Sequence, residues 1–410
     1  MYRSALIAIV GIFLLLGAAC GGGGDSNDSP DRSDKAEATD TAESSKSDKT
    51  KATKDTDEKD ETDDPPASQN EPTIEGLYAA MLGVDDLDDV LGGGSWWPAF
   101  PEFNLGFDPT PSGTEGEQFW VAQTFQSVGG DTTEMVQATL ILFEDEDAAE
   151  NGLEDISSDN DGGSDTVRGP AVGDDSRYFT RESDPEETGL PPLETTLRFR
   201  LGPVVGRVTF LSEEEFGAPR DMAALFESIE GDIEAFIDGT LEPATLPGWA
   251  KDLLPSDDAA EGAGTGTVLG TATIPIESWA LADDSGDPLA VRDLLDELGA
   301  KTLALRRYGL DDEPNLAIEA TLFRLGDEDA AATWAGGFVD GITGDAALDP
   351  GETGRVSAYT SYDGTFYELQ FAKGTIVGDV VCFAPFGETI DTCEEPVRAL
   401  AEAWYAELPE

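Results

Sequence analysis

The sequence predicts an α+β protein with two tandem related modules, each an antiparallel sheet covered by helices, after a disordered tether. Two pairs of matching segments carry this prediction. "ATLILFEDEDAA" at 138–149 and "ATLFRLGDEDAA" at 320–331 share eight of twelve residues at an offset of 182. "LRFRLGPVVGRV" at 197–208 and "LQFAKGTIVGDV" at 369–380 share six of twelve at an offset of 172. Matches in the same order indicate an internal duplication.

Residues 1–19 have the pattern of a secretory signal peptide. Arg3 gives a positive start, twelve apolar residues follow from Ala5 to Leu16, and small residues lead to Cys20. The ending "LLGAAC" before "GGGG" resembles the lipobox of bacterial lipoproteins, although Gly17 stands where leucine is usual. The resemblance implies that Cys20 is acylated, for example with palmitate, and anchors the protein on the extracytoplasmic side of the cell membrane. A signal peptide cleaved nearby and an uncleaved anchor are the alternatives.

Residues 20–72 have the composition of a disordered tether. Beyond Cys20 the segment contains no aromatic and no large aliphatic residue, and it holds 16 acidic against seven basic residues. Such a chain cannot bury enough apolar surface to offset the entropy of ordering. As a flexible coil it would span roughly 40 Å. We therefore expect a spacer that separates a folded body from the membrane.

Each module is predicted to continue with a helix, a hairpin and a closing helix, over residues 73–242 and 243–410. Asp145 and Asp327 stand where helix caps belong, before apolar residues spaced to bury one helix face. The second repeat reads as two strands joined by a glycine turn. The closing helices carry matching apolar stripes, Met222, Leu225, Phe226, Ile229 and Ile233 in the first module and Val397, Leu400, Ala401, Trp404 and Leu408 in the second.

One aromatic segment of the first module has no counterpart in the second. "DLDDVLGG" at 86–93 weakly matches "DLLDELGA" at 293–300 at an offset of 207, which places some 25 additional residues in the first module. Proline interrupts this segment, so it is neither a continuous helix nor an inner strand. Its rings could cap the open side of the first sheet or form a platform for a ligand. The candidate binding residues are Trp96, Trp97, Phe100, Phe103 and Phe107.

The folded body is strongly acidic. Residues 73–410 contain 70 acidic and 16 basic residues, so the net charge of the body is near −54. This charge makes nucleic acid and anionic membrane surfaces poor partners. A protein or a carbohydrate remains open as the ligand, and the membrane is a partner through the anchor at Cys20.

Several kinds of catalytic site are excluded by composition. The chain contains no histidine, which removes serine–histidine and cysteine–histidine nucleophile systems and histidine-bound metals. With Cys20 committed to lipid, Cys382 and Cys393 remain, and in an exported protein we expect them to form a disulfide that contributes about 3 kcal/mol. No phosphate-cradling glycine motif is present, and we expect no cofactor.

Acidic side chains leave two further possibilities. Asp159 and Asp161 lie in "SSDNDGGSD", which resembles the start of a calcium loop, but Ser157 and Arg168 stand at the first and closing ligand positions. A solvated acidic loop is the favoured interpretation, with calcium as the weaker one. Paired carboxylates could also support glycosidase chemistry, although a pair among 70 acids is uninformative.

The order of capped helix, glycine-turn hairpin and closing helix is similar to duplicated modules of bacterial surface lipoproteins and extracellular sensor domains of undefined role. Together with the lipobox, this resemblance implies a membrane-anchored extracytoplasmic lipoprotein that binds or senses something and is not an enzyme. The alternative is an envelope hydrolase that uses carboxylates.

Overall fold

The structure is a computed structural model. It describes residues 72–92, 95–105, 114–130, 132–158, 164–243, 245–282, 287–300, 302–310, 316–337, 343–345, 354–360, 364–385 and 391–409. The predicted signal peptide, the lipidated Cys20 and the tether lie outside the described residues, as do Phe107, Asp159 and Asp161. Among the residues described, no helix is both long and apolar enough to cross a membrane.

The first module contains an eight-stranded antiparallel sheet. Its elements are α1 (Ile74–Ala79), α2 (Val84–Val90), β1 (Ser95–Pro98), β2 (Glu102–Leu105), β3 (Glu117–Val128), β4 (Glu134–Phe143), α3 (Glu146–Ser158), β5 (Ser164–Val167), β6 (Asp175–Glu182), α4 (Pro185–Thr188), β7 (Leu193–Leu201), β8 (Val204–Ser212) and α5 (Pro219–Ile237). The strand order is β1-β3-β4-β8-β7-β6-β5, and β2 also pairs with β3.

The second module contains a seven-stranded antiparallel sheet. Its elements are α6 (Gly248–Lys251), α7 (Asp257–Gly262), β9 (Thr265–Pro275), α8 (Ile276–Ala282), α9 (Pro288–Glu297), β10 (Thr302–Leu310), β11 (Ala317–Arg324), α10 (Glu328–Gly337), β12 (Thr343–Asp345), β13 (Gly354–Thr360), β14 (Gly364–Lys373), β15 (Ile376–Pro385) and α11 (Asp391–Glu407). Read from β9, the order is β9-β10-β11-β15-β14-β13-β12, which matches the order of the first sheet from β1 to β5, without a separate counterpart of β2 among the described strands. The predicted fold class is confirmed.

The duplicated "DEDAA" begins a helix in both modules. The backbone amide of Ala148 donates to the Asp145 carboxylate at 2.8 Å, and that of Ala330 donates to Asp327 at 2.7 Å. Each aspartate satisfies an amide that the first helical turn leaves without a partner. The predicted caps are confirmed.

The duplicated hairpins pair a phenylalanine with a glycine across the strands. Phe199 lies opposite Gly206, and Phe371 lies opposite Gly378. A Cβ atom at Gly206 or Gly378 would come within 2.0 or 2.3 Å of the facing ring, so only glycine leaves room for it. Each phenylalanine ring then packs edge-on against the closing helix, Phe199 on Phe226 and Phe371 on Trp404. The predicted apolar stripes of α5 and α11 are buried against these hairpins.

The edge strand beside β3 in the first module and the one beside β10 in the second come from different positions along the chain. In the second module, β9 comes before the helix pair α8–α9 and lies beside β10. In the first module the helix pair α1–α2 comes first, and β1 and β2 follow it and lie along β3. The additional residues predicted in the first module therefore supply its edge strand.

The two edge strands bring the modules together, and both sheets belong to one compact unit. β2 packs against β9, while α1 contacts β9 and α8 contacts β1. The Phe103 ring covers the backbone of Gly270, where a Cβ atom would lie 2.4 Å from the ring. The buried core therefore runs continuously from one module into the other.

The predicted disulfide is present between Cys382 on β15 and Cys393 on α11. Both residues are buried. The bond ties the closing helix of the second module to the strand that it covers.

Candidate functional site

The aromatic segment lies between the modules. Trp96, Trp97 and Phe103 are buried, with 2%, 7% and 0% of their surface exposed. Phe100 is half-buried, and its ring centroid lies 5.8 Å from that of Trp279 on α8. Phe100 and Phe103 contact the second module, and the three buried rings belong to the continuous core, which favours the core role over an exposed platform.

A charged cluster lies beside these rings. The Arg307 guanidinium donates to the Glu319 carboxylate at 3.0 Å, and both side chains are half-buried. Burial raises the pKa of Glu102 to about 7; the positive charge of Arg307 opposes this increase, and the negative charge of Glu319 adds to it. Burial also raises the pKa of Glu319, again against the effect of Arg307. Glu102 on the first module is thus electrostatically coupled to two residues of the second.

The two faces of the first sheet differ in character. Leu140, Leu197 and Val208 point toward the main core under α1 and α5. Side chains alternate along a strand, so the residues between them lie on the opposite face. That face carries apolar clusters at its two ends, under α3 and beside Leu190, which packs with Met135 and Leu211. The buried Phe179, two residues from Arg177 on β6, also lies on it.

Three arginines stand side by side in the middle of this second face. Arg177 on β6 lies directly opposite Arg198 on β7, and Arg198 lies directly opposite Arg207 on β8. Neighbouring strands are about 4.8 Å apart, so the three positions span roughly 10 Å. Like charges directly opposite one another destabilise a sheet. We refer to Arg177, Arg198 and Arg207 as the arginine row.

The second module has no such row. At the same register its sheet carries Arg355, Gln370 and Asp379 on β13, β14 and β15. The threonine next in line is present in both modules, Thr139 beside Arg207 and Thr321 beside Asp379. Because the scaffold is the same, the arginine row is not a requirement of the fold.

A pocket opens at the β5–β6 end of the arginine row. Its volume is about 460 Å³. It is lined by Ser157, Thr166, Val167, Arg168, Gly169, Pro170, Ala171, Ser176, Arg177, Tyr178 and Phe179. We refer to it as the arginine pocket. None of these described lining residues is acidic, which sets the pocket apart in a chain of net charge −62.

The polar groups of the arginine pocket are poorly satisfied by the protein. Arg168 is exposed, and within the described part of the chain it makes no ion pair. Among the described residues, one carboxylate lies within ion-pair distance of Arg177, that of Asp175 at 3.6 Å, which is longer than a hydrogen bond. Ser157 is only 7% exposed, yet its hydroxyl has no hydrogen-bond partner among the described residues. Arg168 and Arg177 therefore keep guanidinium donors available at the cavity, whereas the Ser157 oxygen has almost no accessible surface.

The buried part of the arginine row extends the positive charge inward. Arg198 is 4% exposed, and its guanidinium lies 4.9 Å from the ring centroid of Phe179, which lines the pocket. Burial lowers the pKa of Arg207, and the negative charge of Glu194 opposes this decrease. Arginine begins from such a high pKa that it stays protonated in proteins. Arg198 and Arg207 therefore add two positive charges along the sheet next to the pocket.

The sequence analysis missed the arginine pocket, although a signal was present. Six of the 13 arginines in residues 73–410 fall between Arg168 and Arg207. In "SRYFTRE" and "LRFRL" they recur at even spacings, which places them on one face of a strand. The large net charge of the whole body concealed this local concentration. In the described part of the chain, no group of three or more acidic or cysteine side chains could hold a metal ion.

Comparisons with known proteins give little. No family model matches the chain, and no curated protein matches it. One similar solved structure is the extracellular domain of PknH from Mycobacterium tuberculosis, with 14% sequence identity and a TM-score of 0.30. The alignment covers 39% of this chain and 98% of that domain. A likeness at this TM-score carries no argument about function.

Proposed function

We propose that this chain is a lipid-anchored, extracytoplasmic, non-catalytic binding protein whose ligand occupies the arginine pocket of the first module. The apolar run that ends at Cys20 supports export and lipidation. The buried Cys382–Cys393 disulfide supports an oxidising compartment, where such bonds persist.

The observation that carries the binding role is the difference between the two modules. The sheets share one strand order, but the first has arginines where the second has glutamine and aspartate at the two inner positions of the row. A row of like charges that one copy has and the other lacks points to function rather than folding. The pocket beside it, with about 460 Å³, has the size of a small-ligand site.

The alternative is a carboxylate-dependent hydrolase. It would use Glu102 as a general acid, because burial raises the pKa of this group to about 7, with Glu319, whose pKa burial also raises, as the second carboxyl group. We favour binding, because Glu102 precedes the buried Phe103 in the packed region between the modules, where a substrate would have little room.

The anchor is tested with Cys20→Ala. We expect the substituted protein to leave the membrane fraction and to lose incorporation of labelled palmitate, because both depend on the acylated cysteine. The control is the double variant Cys382→Ser with Cys393→Ser, which removes the other two cysteines and should stay membrane-bound. Membrane retention of Cys20→Ala after a high-salt wash would show that lipid is not the anchor.

The binding role is tested by blocking the pocket from its rim. Thr166 is exposed and lines the pocket, whereas its neighbour Asp165 is exposed and does not. Thr166→Trp should fill the pocket, and Asp165→Trp is the matched control. A low-molecular-weight envelope extract should raise the melting temperature of the full-length wild type and of the control, but not that of Thr166→Trp. An equal increase in all three proteins would place binding elsewhere.

A further inference from the structure

We infer that the arginine pocket selects an oxyanion, a phosphate or carboxylate group carried on a body the size of a monosaccharide. This inference rests on the proposed binding role and names the chemical class of the ligand.

The charge on the pocket wall argues for an anion. Arg168 and Arg177 line the cavity, and Arg198 and Arg207 continue the positive charge along the sheet. A guanidinium presents several N–H donors in one plane, which matches the paired oxygens of phosphate and carboxylate groups. A cation would meet these charges with no acidic residue in the described lining to hold it.

The neutral groups argue for a small polar body attached to the anion. Thr166 is exposed and lines the pocket, so its hydroxyl is available to a ligand at the rim. Phe179 adds an apolar ring face to the same wall. Sugars are commonly held by hydroxyl hydrogen bonds and contact with an aromatic ring, and the cavity of about 460 Å³ is of the size that holds a small ligand.

The second module serves as an internal comparison. Its scaffold is the same, but Gln370 and Asp379 replace the two inner arginines of the row. An acidic side chain at that register would repel an anion. We therefore expect one oxyanion site for each chain, on the first module alone.

The ligand class is tested by calorimetric titration of the detergent-solubilised full-length protein with glucose 1-phosphate, glucuronate and glucose. We expect one or both anionic sugars to bind with a stoichiometry of one, and the preferred one distinguishes phosphate from carboxylate as the source of the oxyanion. Glucose should bind at least about tenfold more weakly, because it makes no charge-assisted hydrogen bond.

The site is tested with Arg177→Gln, which removes a partly exposed charge from the pocket wall. It should weaken binding of the anionic sugar by about tenfold or more. Arg220→Gln is the matched control, because Arg220 is exposed on α5 and away from the pocket lining. It should bind as the wild type does.

Three results would overturn the inference. They are equal binding of glucose and the anionic sugars, an unchanged affinity in Arg177→Gln, and no binding of any of the three sugars at millimolar concentration. The proposed binding role would survive each of them if the envelope extract still stabilises the wild type and not Thr166→Trp. If instead the extract fails to stabilise the wild type but an anionic sugar binds in the titration, the pocket binds an oxyanion and the extract lacks the natural ligand.

Discussion

Replacing Glu102 with glutamine should stabilise the folded protein at pH 8 and leave its stability unchanged at pH 4. Glu102 lies on β2 at the junction of the modules, where burial raises its pKa from 4.5 to about 7. The carboxyl group is protonated in both the folded and the unfolded chain below pH 4.5, so burial costs nothing there. As the pH rises from about 4.5 to 7, the unfolded chain ionises more readily, and stability is lost.

The size of this loss follows from the two pKa values. At 1.36 kcal/mol for each pKa unit, the difference between 4.5 and about 7 corresponds to about 3 kcal/mol as an upper estimate. Glutamine has nearly the same shape and no charge, so it should recover most of this free energy at pH 8.

Urea unfolding of both proteins at pH 4 and pH 8 provides the measurement. The free energy of unfolding of Glu102→Gln should exceed that of the wild type at pH 8 and equal it at pH 4. Glu150→Gln is the control, because Glu150 is exposed on α3, and it should change stability by less than about 0.5 kcal/mol at either pH. If Glu102→Gln differs from the wild type by the same amount at both pH values, ionisation of Glu102 does not oppose folding.

Three further predictions concern packing and charge. Gly378→Ala should lower the free energy of unfolding in urea by about 1–3 kcal/mol, because its Cβ would lie 2.3 Å from the Phe371 ring. Gly231→Ala, the control at an exposed helix position with open space, should raise it by about 0.5–1 kcal/mol. Equal effects would contradict this packing. Phe103→Ala should cost about 3–5 kcal/mol by the same measurement, since the ring is fully buried between the modules, and a near-normal value would remove it from the core. The melting temperature should rise as NaCl increases from about 0.01 to 0.5 M, because salt screens the net charge of −62, and a flat profile would mean that the acids are already compensated.

The repeated elements could be predicted because local chemistry decides them. An aspartate before a helical apolar stripe favours the start of a helix, and the structure has this cap at Asp145 and Asp327. A glycine between two apolar runs similarly indicates a hairpin, as found at Gly202 and Gly374, both with positive φ. These signals need only a few neighbouring residues.

The arginine row could not be predicted in the same way, because it depends on register. Arg177, Arg198 and Arg207 are 30 residues apart from first to last and meet only when three strands pair in one alignment. The alternation of side chains along a strand places each arginine on one face of the sheet, but it does not tell which residue of the neighbouring strand lies opposite. The position of the aromatic segment depended likewise on the second module, since Gly270 provides the surface on which Phe103 lies.

The edge strands occupy equivalent places in the two sheets but come at different points along the chain. Beside β10 lies β9, which precedes the helix pair α8–α9 in the chain. Beside β3 lies β2, which follows the helix pair α1–α2. The edge strand and the helix pair have thus exchanged their order along the chain, although each edge strand occupies the equivalent place in its sheet. The peptide linking residues 242 and 243 is consequently a small part of what joins the halves. A protease that cleaved the chain there would leave a nicked protein whose two fragments stay associated through Phe103, Gly270 and the helices that cross between the sheets.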